Sequence, residues 1–126
     1  VTRVLVTGGR DYWSPDIYHN LACLNDERRF STVITGGARG VDEMAAHWAE
    51  RRGITSEVYP ADWKAHGRAA GPIRNARMIK EGSPDLVVAF RGSRGTLDCI
   101  RQARQAGIEV ILVGWNTAPA DAGKGG

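Results

Sequence analysis

Three short apolar runs in this chain each stop at glycine: Val4-Leu5-Val6 before Gly8-Gly9, Val33-Ile34 before Gly36-Gly37, and Leu86-Val87-Val88-Ala89-Phe90 before Gly92. None alternates apolar with polar residues, so each reads as a strand covered on both faces, the pattern of a parallel sheet. The segments between them carry a helical period. Val41, Met44, Ala45, Trp48 and Ala49 fall on one helical face that stops at Gly53. Ile17, Leu21 and Leu24 mark an earlier helix behind Ser14-Pro15, a capping residue followed by one suited to the first turn. Arg74 to Glu81 and Thr96 to Ala106 supply two more, and Glu57-Val58-Tyr59 and Glu109 to Val113 complete the strands. The order β-α-β-α-β-α-β-α-β predicts an α/β, Rossmann-like fold: a single doubly wound five-stranded parallel sheet flanked by helices, with right-handed crossovers. A strand order of 3-2-1-4-5 opens a ligand crevice where the first and fourth strands part at their carboxyl ends.

The 126 residues suffice for one domain with its own core, expected over 1–116. The stretch 117–126, rich in Ala, Gly and Pro without an apolar period, reads as a flexible tail. Hydrophobic residues at 42% and charged residues at 25% place the chain in the globular range. No apolar run approaches the ~20 residues that span a bilayer, and the first five residues read as a strand rather than a signal peptide. A cytoplasmic protein with no membrane partner is the expectation. Cys23 and Cys99 form no CxxC pair and lie at no metal-ligand spacing, so both are expected as buried thiols, with no metal site and no cofactor.

The chemistry lies in the strand-to-helix loops. Thr7-Gly8-Gly9-Arg10-Asp11, Thr35-Gly36-Gly37-Ala38-Arg39-Gly40-Val41-Asp42 and Arg91-Gly92-Ser93-Arg94-Gly95-Thr96 are all glycine-rich and all carry arginine. Glycine lets backbone approach a phosphate, and the helix that follows offers free N–H groups and the positive end of its dipole. Of the 17 Lys and Arg residues 14 are arginine, a bias suited to forked recognition of phosphate or carboxylate. No Gly-Lys-Ser/Thr follows the glycines and no dinucleotide fingerprint is present, which argues against ATP hydrolysis and hydride transfer. A fourth connection, Pro60 to Asn75, is long for a minimal turn and could cover the crevice. Within it, Trp63 offers a face for packing or for a base, and His66 is a lone histidine.

These residues resemble the SLOG superfamily, most closely its YspA-related branch. The resemblance rests on Val6-Thr7-Gly8-Gly9-Arg10-Asp11, Gly36 to Asp42 with Ala45, Pro60-Ala61-Asp62-Trp63, Gly71-Pro72-Ile73-Arg74-Asn75, and Gly92-Ser93-Arg94-Gly95-Thr96. It implies binding of nucleotides or nucleotide derivatives. Arg74-Asn75-Ala76-Arg77-Met78 is similar to the RKxxM stretch of the Lonely Guy phosphoribohydrolases, and Arg91 to Cys99 to their PGGxGTxxE stretch. Cys99 then stands where those enzymes carry glutamate. A neutral thiol cannot stabilise the cationic charge that builds on ribose as a glycosidic bond breaks. Asp98 is adjacent but turned by roughly 100° along a helix. Ala38-Arg39-Gly40-Val41-Asp42 is also similar to the glycine-rich loop of DprA, a single-stranded DNA-binding protein, and a pI near 9.2 is compatible with nucleic acid.

The leading expectation is therefore a binding or sensing domain for a phosphorylated, nucleotide-derived ligand. Gly8, Gly9, Gly36, Gly37, Gly40, Gly92, Ser93, Gly95 and Thr96 would surround it, with Arg10, Arg39, Arg74 or Arg94 supplying charge and Asp42 and Asn75 alongside. The alternatives are a nucleoside 5′-monophosphate N-glycosidase, in which Arg74 and Asp98 or Asp42 would be catalytic, and a DprA-like DNA-binding module. Related families also suggest a homo-oligomer.

Overall fold

The computed structural model describes residues 1–115; the expected tail, 117–126, lies outside the described residues. Five strands, β1 (Thr2–Thr7), β2 (Phe30–Thr35), β3 (Thr55–Val58), β4 (Leu86–Phe90) and β5 (Glu109–Val113), form one parallel sheet in the order β3-β2-β1-β4-β5. The helices are α1 (Pro15–Arg28), α2 (Val41–Arg51), α3 (Trp63–His66), α4 (Ala70–Lys80) and α5 (Arg94–Gln105), with a 3-10 turn over Gly67–Ala69.

Successive residues of a strand face opposite sides, so the unbroken apolar runs feed two cores at once. Val4, Val6, Val33, Leu86 and Val88 meet Ile17 and Leu21 of α1 and Val41, Ala45 and Trp48 of α2. Leu5, Ile34 and Val87 meet Met78 of α4 and Cys99 and Ala103 of α5 on the other face. The stop signals act as expected: Gly53 and Gly107, both at positive φ, turn the chain out of α2 and α5. At the other end of α1, Ser14 Oγ accepts the Asp16 N–H at 3.2 Å and Pro15 takes the first helical position.

Three local expectations are corrected. The long fourth connection is largely helical: Asp62 Oδ1 accepts the Ala65 N–H at 3.0 Å to cap α3, and α4 starts at Ala70 rather than Arg74. Pro72 is tolerated there because in the first turn its missing N–H has no helical partner to lose. Helix α5 starts at Arg94, which puts Gly95 and Thr96 in its first turn. Cys99 is buried, but Cys23 is exposed on the outer side of α1, with its Sγ 3.7 Å from His19 Nε2. Among the described residues no helix is long and apolar enough to cross a membrane.

Candidate functional site

Strands β1 and β4 lie side by side, but α1 covers one face of the sheet and α5 the other. Their loops therefore diverge and leave a cleft at the carboxyl ends. It holds about 1050 Å³, at the upper end of the ~300–1000 Å³ typical of small-molecule sites. The three glycine-rich loops converge there. The Gly9 N–H donates to the Arg91 carbonyl at 2.7 Å, joining the β1 and β4 loops, and the Val41 N–H donates to the Gly9 carbonyl at 3.2 Å, joining α2 to the β1 loop.

Arg74 lines the cleft from α4 and crosses to the β2 loop, donating from Nη1 to the Gly36 carbonyl at 2.7 Å and from Nε to Asn75 Oδ1 at 3.0 Å. A Cβ on Gly36 would run into that guanidinium, so glycine there makes room for Arg74. Asn75 passes the connection on. Its Nδ2 donates to the Gly95 carbonyl at 3.1 Å and to Asp98 Oδ2 at 3.0 Å, fixing the first turn of α5 against α4. Asp98 also accepts from Gln102 Nε2 at 2.8 Å and from Arg101 Nη2 at 2.6 Å. Partial burial works against its charge, but these three donors outweigh it and hold the carboxyl below its ordinary value. Ser93 precedes α5 without capping it through its side chain, so the first-turn N–H groups at the cleft have no side-chain acceptor from that residue.

Asp42 has a different environment. It is 6% exposed, lines the cleft from the first turn of α2, and accepts the Gly36 and Ala38 N–H groups at 3.1 and 3.3 Å, both through Oδ2. Burial pushes its carboxyl up to about 6, against the pull of the Ala38 N–H, Arg74, the Gly36 N–H and Arg10. The folded chain therefore holds this proton more tightly than the unfolded chain, and stability falls as pH rises from about 4 to about 6, then levels off. Asp42→Asn keeps an oxygen for the two N–H groups and removes the charge. Unfolding titrations at pH 4 and pH 7 are expected to show that fall in the wild type and not in the variant, with a gain of up to about 3 kcal/mol at pH 7.

Cations and aromatic rings form the rim. Arg10, Arg68, Arg91 and Arg94 line the cleft, are exposed, and have no salt bridge among the described residues. The Arg10 guanidinium carbon lies 5.1 Å from the centre of the Trp63 ring, which couples the β1 loop to α3 and brings the fourth connection to the cleft. Tyr12 and Trp115 line it as well, and Trp115 Nε1 is held by the Ala89 carbonyl at 2.9 Å. Among the described residues no cluster of three His, Cys, Asp or Glu is placed to hold a metal ion.

The sequence matches the family model described as YspA, cpYpsA-related SLOG family over residues 2–66. It is 42% identical over 123 residues to the Gene 61 protein of Mycobacterium phage D29, an alignment covering 89% of this chain and 96% of that protein. The chain belongs to the YspA, cpYpsA-related SLOG family. Among solved structures, this SLOG chain is similar to the Moco carrier protein from Chlamydomonas reinhardtii, with a TM-score of 0.62 and 18% identity over 96% of this chain and 80% of that one. At that identity the likeness concerns the fold.

Within this SLOG fold the expected site residues divide into two groups. Gly8, Gly9, Arg10, Asp42, Arg74, Asn75, Gly92, Ser93, Arg94, Gly95, Thr96 and Asp98 all line the cleft. Gly36, Gly37, Arg39 and Gly40 do not. Gly36 and Gly40 are buried against neighbouring groups, Gly37 turns outward near Val58, and Arg39, 74% exposed, reaches Asp11 at 3.7 Å. The β2 loop thus reaches the cleft through Ala38 and Asp42, while its glycines pack against neighbouring groups or turn outward. His66 lies outside the lining, and Cys99 is fully buried behind it. Sequence reasoning left Thr7, Asp11, Tyr12, Arg68, Arg91 and Trp115 out of the expected site, and all of them line the cleft. Trp115 had a usable signal, because it follows β5 and the expected strand order sets that strand beside β4.

Proposed function

We propose that the cleft binds a phosphorylated, nucleotide-derived ligand, and that the protein is a binding or sensing domain. The observation that carries this reading is the set of four rim arginines without acidic partners around a cleft that also presents the start of α5. Guanidinium groups left unpaired beside helical N–H donors suit an anion with several oxygens. Trp63, Tyr12 and Trp115 supply flat apolar surface for the rest of the ligand. A related fold is described as a Moco carrier, which supports a small-molecule ligand on this sheet. The glycosidase alternative with Asp98 as its carboxylate is less well served. Asp98 is already engaged by three donors, and the thiol at position 99 is walled off from the cleft.

Thermal unfolding against a panel of nucleoside mono- and diphosphates, ADP-ribose and cyclic dinucleotides tests the reading. A ligand at 100 times its dissociation constant should add ~2.7 kcal/mol. The double variant Arg91→Ala/Arg94→Ala is expected to weaken the best ligand at least about tenfold, since charge-assisted hydrogen bonds contribute ~1.5–3 kcal/mol. A wild-type protein unmoved by every compound, or a variant that binds like wild type, would overturn the reading.

A further inference from the structure

The rim is cationic, yet one of the most buried polar residues of the cleft lining is an acid. Asp42 is nine-tenths buried, and both of its loop hydrogen bonds fall on Oδ2. Oδ1 receives no hydrogen bond from the described protein groups. Nor is it sealed in the interior: among the described residues the fully buried side-chain polar atoms without partners are Thr35 Oγ1, Trp48 Nε1 and Arg104 Nε. A carboxylate oxygen at a cleft wall with an unused lone pair is an acceptor awaiting a donor. Asp98, a second acid of the lining, already accepts on both oxygens from Asn75, Gln102 and Arg101, and Asp11 lies exposed at the rim.

A bare phosphate gives Asp42 nothing to accept and adds charge repulsion. The cleft is also much larger than one anion. A ligand suited to both parts carries an anionic group for the arginines and, on the same molecule, hydroxyl donors for the carboxylate. We infer that Asp42 is a specificity-determining residue that reads the hydroxyl groups of a sugar phosphate through Oδ1, while the rim arginines hold the phosphate. This rests on the anion-binding reading proposed for the cleft and deepens it.

Asp42→Asn is a suitable probe. The amide oxygen can keep the Gly36 and Ala38 N–H groups, and its NH₂ then stands where the acceptor stood, so a hydroxyl donor meets another donor. Wild type and variant would be titrated calorimetrically with ribose 5-phosphate, with tetrahydrofurfuryl phosphate, the same ring phosphate stripped of its hydroxyls, and with inorganic phosphate. Wild type is expected to bind ribose 5-phosphate about tenfold or more tightly than tetrahydrofurfuryl phosphate, the size of a hydrogen bond to a charged group. In Asp42→Asn that ratio should collapse to about one, with inorganic phosphate bound at least as tightly as by wild type, because the repelling charge is gone.

A wild type that does not discriminate between the two ring phosphates overturns the inference and leaves the anion site standing. So does a variant that loses all three ligands equally, which would make Asp42 a loop-ordering residue only. Loss of AMP binding without loss of ribose 5-phosphate binding would assign the donor to the base and refute the sugar reading. Failure of wild type to bind any phosphate compound defeats the anion reading itself, and this inference with it.

Discussion

Cys99→Glu is expected to lose about 4 kcal/mol or more of stability and to lower the thermal midpoint by roughly 10 °C or more, if it folds at all. In the Lonely Guy enzymes the matching position carries a glutamate, which makes this substitution look like a restoration. The structure makes it a core lesion. Cys99 is 0% exposed, packed with Leu5, Ile34, Met78 and Val87 between α5 and the sheet. Burial, and then the charge of Asp42, push its thiol up to about 12, so the side chain is neutral at any physiological pH. A carboxylate there would be larger, desolvated, and beside a second acid. Cys99→Ala, which leaves only a small cavity, should cost far less. Thermal denaturation of the two variants side by side checks this, and a glutamate variant melting with wild type would show that position 99 reaches solvent.

Gly40→Ala is expected to lose about 3 kcal/mol or more and to abolish ligand binding. Gly40 sits at φ 75° and ψ −124°, a conformation that side chains resist, at a cost of ~1–3 kcal/mol. Contact adds to strain, because a Cβ at this position would run into the Gly9 and Arg10 carbonyls of the β1 loop. That loop would have to retreat, and with it Arg10 and the Trp63 face that Arg10 covers. Gly53→Ala separates the two effects. It has φ 70° with nothing within 4 Å of an added Cβ, so it should cost only the ~1–2 kcal/mol of left-handed strain and leave binding intact. Equal losses in the two variants would show that the contact between the β1 and β2 loops contributes nothing.

The sheet was legible in the sequence because it depends on local pattern. An unbroken run such as Leu86 to Phe90 is uneconomic on any surface, so it had to be covered on both faces, and glycines after the strands marked their carboxyl ends. The order β3-β2-β1-β4-β5 then set the β1, β2 and β4 loops together, along with most of the residues around the cleft. Helix starts were less legible. The apolar period placed the start of α4 at Arg74, whereas the helix already includes Ala70-Gly71-Pro72-Ile73 and packs against α5.

What tertiary structure alone decided is the job of each loop residue. Gly36 and Gly40 read alike as glycines of one loop, and folding shows that the first makes room for the Arg74 guanidinium and the second for the β1-loop backbone. In the sequence Asp42 belonged to the ligand loop and Asp98 was a catalytic candidate, with nothing to show which partners either would meet. Folding engages both oxygens of Asp98 with side chains of α4 and α5, whereas Asp42, also in the cleft lining, receives both of its loop hydrogen bonds on one oxygen. Hydrophobic pattern repeats along the chain and can be read there, because burial of a strand or helix face depends on residues a few positions apart. Hydrogen-bond saturation and the space around a glycine are set by groups tens of residues away, as Arg74 is from Gly36, and exist only once the chain has closed on itself.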